Sequence, residues 1–109
     1  MIRQGDVLLI EVNSIPENAK AARRDKGRLV LAYGEITGHA HVVDAPPEEA
    51  TLLTDADNRR FLRLMANATL VHEEHAAVLL PAGNYQQIRQ QEWDESKELP
   101  AERVRNVWD

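Results

Sequence analysis

The four histidines of the chain fall in two tight pairs, Gly38-His39-Ala40-His41 and Val71-His72-Glu73-Glu74-His75, and each pair adjoins a run that reads as β-strand. Neutral imidazole is the commonest protein ligand for transition metals such as zinc, nickel and non-haem iron. Alternate side chains of a strand share a face, so His39 and His41 are expected to point one way with Ala40 opposite. His72 and His75, three apart, would face opposite ways on a straight strand. A turn at Glu73-Glu74 instead makes them opposed neighbours across a hairpin joining 68–71 to 76–80. Both pairs then converge on one divalent transition metal ion, zinc, iron or nickel, with His39, His41, His72 and His75 as ligands.

Glu73 and Glu74 are the catalytic candidates. Either carboxylate can ligate the ion, fix an imidazole tautomer, or act as general base beside metal-bound water. The plainer reading makes them solvated turn acids and the histidines polar positions at sheet ends, hydrogen-bonded to carboxylates or carbonyls. Glu35 and Thr37, close to the first pair, carry the same ambiguity. Three histidine ligands would leave an open position for hydrolysis or small-molecule chemistry, whereas four would close the sphere and favour a structural role. No other catalytic constellation stands out: there is no cysteine nucleophile and no phosphate loop, and Ser14 and Ser96 lack a histidine nearby in sequence.

The elements that must position these residues are strand-like. Runs at 6–12, 28–33, 39–43, 50–54, 60–65, 68–71, 76–80, 85–93 and 103–108 are short and apolar or alternating, and turn chemistry separates them. Asn13-Ser14 ends the first run, and 19–26 reads as a helical turn or a loop. Pro46-Pro47 closes the strand at 39–43, because proline lacks the N–H a ladder needs. Asp55-Ala56-Asp57-Asn58 joins two arms of a hairpin, and Pro81-Ala82-Gly83-Asn84 is a turn in which glycine permits a positive φ. Seven to nine short strands at this spacing imply an all-β fold, a small barrel or sandwich. With no linker or internal repeat, residues 1–109 are expected to form one domain.

Composition narrows the function classes. Among 109 residues, 43% hydrophobic and 28% charged content describes an ordinary globular chain rather than a disordered one. Absence of cysteine excludes disulfides, Fe–S clusters and thiolate zinc sites, so any transition-metal site here is built from imidazole and carboxylate. The apolar run at 7–10 is too short for a signal peptide or membrane span, and a cytoplasmic location is the default expectation. A net charge of −5 opposes nonspecific attraction to nucleic acid. Arg23-Arg24-Asp25-Lys26 and Arg59-Arg60 lack interleaved aromatics and read as solvated loop charge.

Gly34-Glu35-Ile36-Thr37-Gly38-His39-Ala40-His41 resembles the first histidine motif of cupins, and Leu80-Pro81-Ala82-Gly83 is similar to the turn of their second motif. The resemblance implies a small β-barrel enclosing a metal. It covers about a third of the chain and departs from the family pattern in three places. The glycine-to-histidine spacing is one residue short, no glutamate follows His41 at the usual distance, and no histidine follows Pro81-Ala82-Gly83. The chain also resembles small uncharacterised bacterial proteins with a Gly-His-Ala-His segment, a likeness that implies no activity.

Two functions of different class follow: a histidine-rich divalent-metal protein with a small-molecule ligand, or a non-enzymatic interaction module, homo-oligomeric or bound to a protein partner, whose short strands leave edges for pairing.

Overall fold

The computed structural model describes residues 1–34, 36 and 38–88. Glu35, Thr37, the expected strand at 103–108 and the part of 85–93 beyond Ile88 lie outside the described residues. Ten strands run through the rest: β1 (Ile2–Gln4), β2 (Val7–Val12), β3 (Lys20–Ala21), β4 (Leu29–Tyr33), β5 (Ala40–Asp44), β6 (Ala50–Thr54), β7 (Arg60–Leu64), β8 (Ala68–Val71), β9 (Val78–Leu80) and β10 (Gly83–Ile88). They form two antiparallel sheets, a six-stranded one in the order β1-β2-β10-β7-β6-β3 and a four-stranded one in the order β4-β5-β8-β9. The all-β expectation holds in its sandwich form. The sheets are not closed into a barrel.

Period-2 patterning explains the layering. In β2, Val7 and Leu9 enter the core shared by the sheets, as do Leu52 of β6, Leu62 and Leu64 of β7 and Tyr85 of β10. Leu29, Leu31, Val43, Leu70 and Leu80 meet them from the smaller sheet. Each fully buried leucine contributes roughly 1.5–3 kcal/mol relative to its exposed state. By the same alternation Gln4 shares the inner face with Ile2, which packs against that core. Gln4 is thereby a polar side chain between two sheets, 3% exposed.

Polar side chains also bind the layers together. A register shift between Val30 and Ala32 interrupts the β4–β5 ladder at Leu31. The larger sheet captures the Leu31 carbonyl with Arg60 Nη1 at 2.7 Å and Gln87 Nε2 at 2.9 Å, while Arg60 Nη2 reaches the Val30 carbonyl at 3.2 Å. Arg24 donates to the carbonyls of Ala45 and Ala50, and Arg59 Nε to Asp55 Oδ2 at 2.6 Å. Part of the charge in both basic clusters therefore has intramolecular work, which the solvated-loop reading did not anticipate.

Two elements differ from expectation, each for a local reason. The first run is a hairpin, with Gln4 opposite Val7 and Gly5-Asp6 between them. Gly5 has φ +58°, a conformation glycine adopts without a Cβ penalty. The 19–26 segment holds no helical turn: β3 pairs Lys20 with Thr54, and Lys26-Gly27, with φ +52° and +82°, turn the chain between the bridged Asp25 and Arg28. Other turns follow the expected chemistry. Asp55 Oδ1 accepts the N–H groups of Asp57 and Arg59 at 2.9 and 2.8 Å, shaping the β6–β7 hairpin, and Gly83 takes φ +147° where the chain crosses between sheets. No helix among the described residues is long and apolar enough to cross a membrane.

Leu62, 0% exposed at the centre of the core, gives the fold a direct test. Leu62→Ala is expected to cost about 2–5 kcal/mol, read as a lower urea midpoint with an unchanged m-value.

Candidate metal centre

Three stretches of chain meet at one end of the sandwich: the β1–β2 turn, the segment leading into β5, and the β8–β9 connection. His41 is the second residue of β5 and is 2% exposed. His39 stands just before that strand. His72 and His75 both lie in the connection, not opposite each other across paired strands as the sequence suggested. Ala76 lies outside the ladder, and its carbonyl accepts from Gln4 Nε2 at 3.0 Å. β9 starts later, at Val78.

All four imidazoles nevertheless gather, with His72 at the centre. Its ring centroid is 4.3 Å from that of His41, 4.7 Å from His75 and 5.8 Å from His39. His41 and His75 stack at 5.7 Å. The ligand-capable atoms form two overlapping triads, each spanning at most 4.8 Å: His41, His72 and His75 in one, and His39, His72 and Glu73 in the other. The four-histidine set of the sequence reading thus divides, and His72 is shared. An open cavity of about 400 Å³ adjoins these rings, rimmed by the exposed Tyr33 and Ile36.

The tautomer of His41 is dictated by Gln4. Both N–H groups of the Gln4 amide are engaged, one with Leu70 O at 2.9 Å and one with Ala76 O. Gln4 Oε1 is therefore the atom 2.8 Å from His41 Nδ1, and as an acceptor it requires the proton there. In neutral His41, Nε2 then carries a lone pair. Burial is the largest influence on this imidazole and, with His72, holds its pKa below the ordinary 6.5, against the opposing effect of Asp6.

The two catalytic candidates have partners. Glu73 Oε1 accepts the Ala40 N–H at 2.9 Å, and that bond foremost holds its carboxyl below the ordinary glutamate range. Glu74 Oε1 lies 3.0 Å from His39 Nδ1, while its own backbone N–H donates to His72 Nδ1 at 3.0 Å. Gln4, Gly5 and Asp6 escaped the sequence reading. The sequence pattern starts a strand at Asp6, and nothing in it places a turn at Gly5-Asp6 or beside the histidines. A Cβ on Gly5 would stand 2.8 Å from His75 Nε2 and 3.2 Å from His41 Cε1, so glycine is needed both for its φ and for the space.

Fold and site together define a small two-sheet β domain with a histidine cluster at one end. A family model described as a domain of unknown function, DUF8820, matches residues 3–90, and the chain belongs to that family. The matched span contains the four histidines and the Gln4-Gly5-Asp6 turn. Comparison with curated proteins and with solved structures gives no match, and the cupin resemblance finds no support in these comparisons.

Gly5→Ala is expected to push His75 away from His41, read as loss of ring-to-ring nuclear Overhauser contacts, with a stability cost of about 1–2 kcal/mol from the left-handed backbone. A pH effect follows from His41. Its folded pKa lies below the unfolded 6.5, so between those values the unfolded chain binds a proton that the folded chain does not. The contribution of neutral His41 to the stability of the metal-free protein is complete above pH 6.5 and declines as pH falls from there through the folded value. Urea midpoints across this range should show that decline, and His41→Gln should flatten it.

Proposed function

We propose that this domain binds one divalent transition metal ion through His41, His72 and His75, with zinc, iron and nickel as the ions suited to imidazole donors. The observation that carries the reading is the convergence of three imidazoles within 4.8 Å, one of them buried with its free nitrogen set by Gln4. A tetrahedral ion with bonds near 2.0–2.1 Å spaces its ligand atoms about 3.4 Å apart. His75 lies in an exposed stretch of the β8–β9 connection, so its approach to such an ion disturbs no core contact. The Gln4 carbonyl receiving His41 Nδ1–H is the kind of outer partner that orients metal-ligating histidines.

Three protein ligands leave room in the coordination sphere on the cavity side, the arrangement used to bind or activate a small molecule. Glu74, held against His39, is the nearby carboxylate for proton transfer. Glu73 is less suited to that task, because its oxygen already holds the Ala40 amide. His72 Nδ1 accepts the Glu74 N–H, so ligation through either nitrogen exchanges that bond for the ion: a neutral ring using Nε2 must carry its proton on Nδ1.

Titration of untagged protein with Zn²⁺, followed by calorimetry, is expected to give one ion per chain and a raised melting temperature. The Glu74 amide resonance should shift with the same saturation curve. His41→Ala and His72→Ala should each weaken binding, and the two combined should lose little beyond the worse single substitution, since one coordination unit is already broken. Affinity should fall as pH drops through about 6 to 5, where free imidazoles protonate. No binding by the wild-type protein, or additive effects of the two substitutions, would defeat the reading.

A further inference from the structure

The second triad, His39, His72 and Glu73, offers different donors from the first. Its three ligand-capable atoms lie within 4.8 Å of one another, as those of the all-imidazole triad do. Two imidazoles and one carboxylate are the set that holds non-haem ferrous iron while leaving other positions of its sphere open. Consecutive acids of the β8–β9 connection grip consecutive residues at the start of β5. Glu74 Oε1 lies 3.0 Å from His39 Nδ1, and Glu73 Oε1 accepts the Ala40 N–H at 2.9 Å. His72 directly precedes these acids, and its ring centroid stands 5.8 Å from that of His39.

Each member of the triad has the partner or the space that ligation needs. His39 turns Nδ1 to the Glu74 carboxylate, the arrangement in which an acid orients a metal-ligating histidine, and has Nε2 left for an ion. Glu73 gives one lone-pair direction to the Ala40 amide, and a carboxylate has about four. Glu73 is exposed and both histidines are half-buried, so their approach to an ion disturbs no core contact. Gly34 does not take the left-handed backbone that calls for glycine, yet a Cβ there would stand 3.1 Å from His39 Cβ and 3.4 Å from His72 Nε2. Its missing side chain keeps both histidines uncrowded. Gly34, His39 and His72 also line the open cavity, which gives a small molecule access to the free positions of an ion held here.

We infer that His39, His72 and Glu73 form a second metal position, suited to ferrous iron, which competes with the imidazole triad for His72. A neutral imidazole has one nitrogen lone pair to donate, so a ring engaged in one position is lost to the other and the chain holds one ion at a time. Three histidines without a carboxylate are a zinc set, whereas the carboxylate-containing set is the ferrous one. The competition rests on the metal-binding reading above; the iron position stands on its own geometry.

The test measures Zn²⁺ binding, and Fe²⁺ binding under anaerobic conditions, by calorimetry on the full chain. Glu73→Gln keeps an acceptor for the Ala40 amide and removes the charge of the ligand, so far-ultraviolet circular dichroism and melting temperature should be unchanged. Glu73→Gln and His39→Ala should each weaken Fe²⁺ binding about tenfold or more and leave Zn²⁺ affinity unaltered. His75→Ala should do the reverse, His72→Ala should weaken both, and protein saturated with Zn²⁺ should take up no Fe²⁺. Fe²⁺ affinity that falls in His75→Ala but not in Glu73→Gln would place iron in the imidazole triad, overturning the second position while leaving the metal-binding reading intact. Wild-type protein that binds Zn²⁺ and no Fe²⁺ would overturn it equally. Simultaneous uptake of both ions would overturn the sharing of His72. Fe²⁺ binding with the expected pattern and no Zn²⁺ binding would support the iron position and defeat the imidazole triad alone.

Discussion

The organisation of the histidine end depends on one buried carboxamide. Gln4 reaches from the edge of the larger sheet to the β8 carbonyl of Leu70, the Ala76 carbonyl of the following connection and the ring of His41 in β5. A buried polar group without partners would cost on the order of 1–3 kcal/mol, and here each of three polar contacts is met by a different stretch of chain. The arrangement is mutually restrictive. Because the amide nitrogen is held by carbonyls, its oxygen must face the imidazole, and because the oxygen faces the imidazole, the ring proton has one position. A glutamate at this position would offer no donors to Leu70 and Ala76, and a hydrophobe would leave all three partners unmet.

Around this joint the acidic groups have unequal parts. Glu73 binds the first amide of β5, Glu74 braces both His39 and the backbone beside His72, and Asp6 faces His41. His39, His41 and His72 are therefore each held by contacts internal to the protein. The core behind them is less adaptable. The Leu31 carbonyl, freed by the irregularity of β4, is held by Arg60 and Gln87 from the opposite layer, which limits sliding of one sheet over the other.

The strand pattern was legible because one face of each strand is buried, so alternation such as Val7 and Leu9, or Leu62 and Leu64, survives in the sequence. Turn chemistry at Asp55–Asn58 and Pro81–Gly83 was legible for the same local reason. What could not be read was long-range assembly. Lys20 and Ala21 are both exposed and have no apolar pattern, and β3 exists only because β6 lies beside it. The histidines announced themselves by type and spacing, yet the connection that carries His72 and His75 is tied to Gln4, a residue seventy-two positions from Ala76 in the chain. Asp6 was read as the start of a strand, and Gly5-Asp6 as neither a turn nor part of a site, because nothing local says that a hairpin tip falls there or which loop it will meet.

The strand order carries a consequence for how the chain comes together. β2 has two neighbours, β1 and β10, and the register sets Leu9 against Gln87. During synthesis the N-terminal hairpin therefore emerges long before the strand that joins it to β7. Hairpins of two strands are marginal alone, whereas β6–β7 and β4-β5-β8-β9 can assemble from nearby segments. Pairing of β10 with β2 joins segments more than seventy residues apart, and such distant pairing is slow because loop closure precedes the contacts that reward it. The histidine end is built from segments up to seventy-two positions apart, and its completion depends on long-range closure rather than on local hairpins.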